Sequence, residues 1–133
     1  MNVLTLRTEL ETLLVDLLGV YRLGNNATTP AVSVRAVGES LPAKTTVSGL
    51  ELVIMRDPEL DRVDAYQRQE AFRVWTLYLV DWDGSGTTAM AAGRILYAYP
   101  GTDSTTLNVP ESVGPKAQVR LRLRTAPEGG GET

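Results

Sequence analysis

At 133 residues, with 43% hydrophobic side chains and a mean hydropathy of -0.08, the chain has the length and composition of one water-soluble domain, long enough to bury about two thirds of its unfolded surface. A net charge of -3 and a pI near 4.9 give no global reason to expect nucleic-acid or membrane binding. Cysteine and histidine are both absent, which removes disulfides, thiolate metal sites, Ser-His triads and nearly all zinc chemistry. An enzyme made from this chain would have to work with carboxylates, lysine, tyrosine or a borrowed metal.

The N-terminal stretch is apolar but carries Arg7, Glu9, Glu11 and Asp16. It has no basic leader and no small-residue cleavage site, so it does not read as a signal peptide, and its charges argue against a membrane span. Val3, Leu6, Leu10, Leu13, Leu14 and Leu17 recur every three or four residues and predict an amphipathic helix over residues 3–18. Asn2, Thr5 or the Thr8/Glu11 pair could cap its start, and Gly19 or Gly24 could end it. Leu4 and Leu18 widen the apolar stripe, which suggests deep packing on a sheet or contact with a neighbouring subunit. The Asn26-Ala27-Thr28 sequon has no glycosylation context in such a chain.

Asn25 to Pro30 reads as a polar loop, and Ala31 to Val37 alternates as a strand. Gly38 to Ser48 reads as a long loop, Leu50 to Met55 as a second strand stopped by Asp57-Pro58. Asp57 to Glu70 mixes both signs of charge without a period and reads as an extended hairpin connection, partly ordered only against a partner. The strongest strand runs from Ala71 to Trp82. Phe72, Val74, Tyr78, Val80 and Trp82 fall on one face and Trp75, Leu77 and Leu79 on the other, as in a central strand covered on both sides.

A glycine turn, Asp83 to Gly86, leads into a short helix closed by Pro100. A glycine-rich turn before a helix can hold phosphate. This one lacks the established phosphate-loop spacings and any nearby lysine, so a tight turn capped by Ser85 or Thr87 is the plainer reading. Asp81, Asp83, Ser85 and Gly86 fit the first positions of a calcium loop, yet position twelve falls on Ala92 where a glutamate is needed. The pairs Asp57/Glu59 and Asp61/Asp64 could be drawn as acid–base pairs, but they lie in a charged, wet loop. We therefore expect no catalytic residues, no metal site and no cofactor.

Thr106 to Val109 predicts a weak strand stopped by Pro110, and Gln118 to Arg124 alternates more cleanly than any other segment. Val119, Leu121 and Leu123 should face a core, leaving Arg120, Arg122 and Arg124, with Lys116 nearby, as a positive stripe. The stripe could meet an acidic surface of another copy, serve only as a solvated edge, or contact nucleic-acid backbone. Residues 126–133 are rich in glycine and glutamate and should be disordered. The whole predicts a single α+β domain over residues 1–125, a mainly antiparallel sheet of about five strands flanked by the N-terminal helix and a second short helix.

The leading helix, the Ala31-Val32-Ser33-Val34 and Gly49-Leu50-Glu51-Leu52-Val53-Ile54 strands, the Trp75 to Asp83 segment, the helix ending Arg94-Ile95-Leu96-Tyr97-Ala98-Tyr99-Pro100 and the alternating last strand occur in a suggestive order. In that order the chain resembles the tail terminator (tail completion) and neck proteins of long-tailed bacteriophages. The resemblance implies a structural, non-enzymatic virion protein of the tail or neck, assembled in the host cytoplasm. It implies a hexameric ring that caps the tail tube and binds tube and neck or connector proteins. DNA would at most pass through, with no specific nucleic-acid binding. A head–tail adaptor or head-closure protein is the neighbouring reading, and a small ligand-binding domain or enzyme the more distant one. A ring needs two different complementary patches on each copy. Arg120, Arg122, Arg124 and Lys116 on one side, and Asp57, Glu59, Asp61 and Asp64 on the other, are the expected pair.

Overall fold

The computed structural model describes residues 2–36, 38–65, 68–109 and 114–125, with side chains left out for 60–65 and 68–72. The expected disorder of 126–133, the Pro110 strand stop and the Val37 end of the first predicted strand lie outside the described residues. The fold is α+β, with two helices and nine strands in two sheets among the described residues.

The leucine stripe forms α1, Val3–Leu13, shorter than the periodicity suggested. Asn2 caps it by accepting the Thr5 N–H at 2.9 Å, and Leu14 to Leu17 continue as a turn. A tight crossing at residues 18 and 19 forces that turn. Leu18 bridges Leu50, and Gly19 passes so close to Gly49 that a Cβ at Gly19 would fall 1.8 Å from the Ser48 carbonyl oxygen. Only glycine permits that crossing, and Gly49 there has φ +79°.

Beyond the crossing, β1 (Val20–Arg22), β2 (Thr28–Pro30) and β4 (Thr46–Ser48) form a small antiparallel sheet in the order β2-β1-β4. β2 and β4 fall in segments the sequence presents as loops, and β1 between the two expected helix ends, because three-residue strands with mostly exposed side chains carry no alternation. Asn26, at the β1–β2 turn, adopts φ +67°, a conformation asparagine tolerates.

The large sheet holds β3 (Val32–Arg35), β5 (Leu50–Met55), β6 (Glu59–Ala65), β7 (Arg68–Asp81), β8 (Asp103–Leu107) and β9 (Ala117–Thr125). Its order is β3-β5-β7-β9-β8, with β6 sharing the β5 edge of β7. The β3–β5 pair is parallel and the other pairs are antiparallel. The charged 57–70 stretch, expected as an extended hairpin connection without a firm period, contains β6 and the start of β7, paired antiparallel from Glu59 opposite Val74 to Ala65 opposite Arg68. Residues 68–72 of β7 pair with 61–65 of β6 and with no other described strand, since β9 begins its pairing at Arg73. The hairpin has no apolar period because this arm lies beyond the core.

α1 and α2 (Thr87–Ala98) pack on one face of the large sheet. Leu6, Leu10, Leu14, Ala91, Ala92 and Ile95 meet Trp75, Leu77 and Leu79 of β7, Leu50, Leu52 and Ile54 of β5, and Val119, Leu121 and Leu123 of β9. Arg94 ties the helices together by donating to both Asp16 carboxylate oxygens, at 2.5 and 2.9 Å, and to the Leu13 carbonyl. That bond holds the Asp16 carboxyl below its ordinary value. Trp75 Nε1 donates to Thr125 at 2.9 Å, which satisfies the one polar atom of the largest core side chain. The second face of β7, expected to be covered as the first is, has Val74 and Val80 buried but carries no helix layer among the described residues. Thr76 and Tyr78 there remain half-buried.

Leu77 is fully buried at the centre of this layer. Leu77→Ala should cost about 3 kcal/mol in denaturant unfolding, whereas Leu4→Ala, at a 65% exposed position, should stay within about 0.5 kcal/mol of wild type.

Candidate functional site

The helix-free face carries the polar groups that need explaining, and a buried carboxylate organises it. Glu51, on the otherwise apolar β5, is only 3% exposed. Its Oε2 accepts from Tyr21 Oη at 2.5 Å and from Arg35 Nη2 at 2.6 Å, and its Oε1 accepts from Trp82 Nε1 at 2.9 Å. Ser33 completes the cluster, accepting from Arg35 Nε and in hydrogen-bond contact with the Tyr21 hydroxyl, each at 3.0 Å. One carboxylate thus joins β1 of the small sheet to β3, β5 and the end of β7. A buried charge is tolerable only when paired and hydrogen-bonded, and both oxygens of Glu51 are used. Burial, and then the bond to Glu51, push the Tyr21 hydroxyl up to about 12. Nothing in the alternation distinguished Glu51, but a lone charge inside Leu50 to Met55 was the signal available.

The glycine turn is organised the same way. Asp81 is 1% exposed; its Oδ1 accepts from the Asp83 and Gly84 N–H groups at 3.2 and 3.1 Å, and its Oδ2 from Gly86 at 3.0 Å. Burial pushes this carboxyl up, but the backbone donors, Gly86 first, outweigh it and hold the group below its ordinary value. Asp83 in turn accepts from Ser85 N–H. The expected cap by Ser85 or Thr87 is therefore replaced. Those two hydroxyls bond each other at 3.1 Å, and Gly86 takes the cap position at φ +76° with no side-chain cap. The N–H groups a phosphate would need are already taken by the chain's own carboxylates. Among the described residues no three His, Cys, Asp or Glu side chains converge as a metal site.

The arginine stripe sits on the helix-free face, opposite buried Val119, Leu121 and Leu123. Arg120 lies across from Tyr78 and Thr105, Arg122 across from Thr76 and Asp103, and Arg124 across from Val74. Arg120 is half-buried, and its Nε has no hydrogen-bond partner among the described residues. Arg122 donates to Glu59 at 2.6 Å. Two residues expected to meet between copies therefore meet within one. The β5–β6 connection brings Glu59 back beside β9 across β7, a proximity that sequence separation hides. Asp57 lies exposed in that connection, while the side chains of Asp61 and Asp64 are outside the described residues. Lys116 is exposed, and its backbone N–H donates to the Asp81 carbonyl at 2.7 Å.

Beside the Glu51 cluster the same face opens into a cavity of about 320 Å³. Val53, Met55, Tyr78, Val80 and Trp82 form its apolar part, and Arg35 and Gln118 lie among its polar lining residues. This is an aromatic-lined hollow with polar groups around it, suited to recognising a side chain. The carboxylates of Glu39 and Glu51 also line it, the second committed to Tyr21, Arg35 and Trp82.

No protein-family model matches the chain, and neither do curated proteins or solved structures. Among the described residues no helix is long and apolar enough to cross a membrane.

The Tyr21 shift sets an alkaline limit. Below pH 10 the folded and unfolded chains both hold this proton, and its stabilisation is complete. Between pH 10 and about 12 the unfolded tyrosine ionises while the folded one does not, so stability falls. Tyr99, raised by burial and by its hydrogen bond to Glu9, adds to the same slope. Tyr21→Phe should flatten the alkaline decline in denaturant melts and cost about 1–3 kcal/mol at neutral pH, because Glu51 loses a buried donor.

Asp81 acts at the other end. Its contribution is present above the unfolded carboxylate value near 3.9 and is lost as pH falls through the lower folded value. Asp81→Ala strands three backbone donors and should lower stability by about 2–4 kcal/mol at pH 7, with a shallower acid transition.

Proposed function

We propose that the chain is a structural subunit of a bacteriophage virion, a tail terminator that assembles into a hexameric ring. In this reading the ring caps the tail tube and joins it to the neck. The observation that carries it is the β6–β7 arm. Its outer half is a two-stranded ribbon that no other described strand supports. Such a ribbon is marginal in water and gains stability by lying against a neighbour. A ring of identical copies on a tube end supplies that neighbour at every position.

Two further features support an assembling rather than a catalytic role. The buried carboxylates Glu51 and Asp81 spend all four oxygens on internal hydrogen bonds. The other is the resemblance of the sequence to tail terminators and neck proteins.

The test is native mass with imaging of the same sample, alone and with tail-tube protein. Six copies of 14.4 kDa give about 86 kDa and a ring with a central hole, and the ring should seat on tube ends and stop their growth. A ring that ignores tube ends but binds a portal-side partner would replace the terminator with a head–tail adaptor. A chain that stays monomeric with and without tube protein would overturn the reading.

A further inference from the structure

The turn before α2 is closed to an anion, because its N–H groups are held by Asp81 and Asp83. The groove just beyond it is open. On the helical side of the large sheet a cavity of about 450 Å³ lies between α2 and the β8 edge. It is lined by Thr88 and Ala92 of α2, Ser104 and Thr106 of β8, and Ala117 and Val119 of β9. Ser104 and Thr106 reach this side because they pair with Leu121 and Val119, which face the helices.

Three features of the groove suit an anion. Thr88 is only 7% exposed, yet its hydroxyl has no hydrogen-bond partner among the described residues. A buried hydroxyl normally finds one. The start of α2 is also unsatisfied: Gly86 supplies no side-chain cap, and the Thr87, Thr88 and Ala89 N–H groups have no acceptor among the described residues. The first turn carries no acidic residue to meet the positive end of the helix. Lys116, distant in sequence, is brought to the same place. It lines the cavity, and its Cγ lies 3.7 Å from where a Cβ on Gly84 would sit. No described carboxylate pairs with its ammonium, and none lines the cavity.

Backbone N–H, hydroxyl and ammonium are three different donors, and a phosphate monoester brings three strong acceptor oxygens. The cavity has room for more than that group. Ser104, Thr106 and Asn108 offer hydrogen bonds along it, and no aromatic side chain lines it on which a base could stack. A single cation in a recess, on a chain of net charge -3, suits one phosphate rather than a polyanion. We propose that this groove binds a sugar phosphate. The phosphate sits at the start of α2 between Thr88 and Lys116, and the sugar hydroxyls lie along Ser104, Thr106 and Asn108. The site is on the opposite side of the sheet from the arginine stripe and does not depend on the ring reading.

The test is calorimetric titration of the whole chain with ribose 5-phosphate, ribose, inorganic phosphate and a short oligothymidylate. Ribose 5-phosphate should bind saturably, at least about tenfold more tightly than inorganic phosphate, and ribose should not bind. Thr88→Val and Lys116→Met should each weaken binding at least about tenfold. Thr88→Val should not lower the melting temperature of the free chain, because that hydroxyl has no partner to lose. Lys116→Met, at an exposed position, keeps the test decisive should Thr88→Val fail to fold. Arg120→Met, on the other face, should leave binding unchanged. No binding of ribose 5-phosphate at millimolar concentration would overturn the proposal, as would equal affinity for inorganic phosphate. Binding lost in Arg120→Met but kept in Lys116→Met would overturn it in favour of the arginine stripe. Tighter binding of the oligothymidylate, weakened by the Thr88 and Lys116 variants, would replace it with a nucleic-acid backbone contact.

Discussion

β7 is longer than the body it crosses, and the rest of the molecule is arranged along its two edges. One edge is divided between β5 and β6, and the other is taken by β9. Trp75, Leu77 and Leu79 project from one side of its central portion and are almost wholly enclosed by α1 and α2. Each helix can bury its apolar stripe only there, because the other side of the sheet presents Arg120, Arg122, Arg124 and the Glu51 cluster. Among the described residues the fold therefore has one helical side and one side without helices. Whatever binds this chain meets two very different surfaces.

The carboxylates most deeply placed are structural. Glu51 holds the small sheet to the large one, and Asp81 holds the turn from which α2 starts. In both cases a charge is stabilised in a poorly solvated place by donors on neighbouring elements, which makes those elements mutually dependent. The junction of the two sheets is narrow as well as charged. Gly19 and Gly49 pass in backbone contact just beside the Glu51 cluster, so neither the steric nor the polar part of the junction tolerates a change made alone.

Chemistry and architecture point the same way for function. Charges that might have formed a reactive site are drawn into hydrogen bonds, while uncharged surface is left outside on α2. A two-stranded arm reaches past the core. Such a distribution suits a protein whose work is to be held by copies of itself and by other proteins, which is what the proposed tail-terminator ring requires.

Much of this was written plainly in the chain. The leucine spacing marks α1, the two-sided apolar run marks the core of β7, and the Val119, Leu121 and Leu123 alternation marks β9, because each repeats at the period of its backbone. The α+β class follows from those elements. The 59–65 strand, the small sheet and the early end of α1 carry no such repeat. They form because strands meet across the sheet or because two glycines must cross. Likewise the spacing of Arg120, Arg122 and Arg124 established that they share a face, since alternation is a local property. That Arg122 binds Glu59 of its own chain, and that Glu51 rather than any loop carboxylate organises the polar face, depended on which distant segments became neighbours. Period is encoded residue by residue, whereas partnership is decided only when the sheet closes.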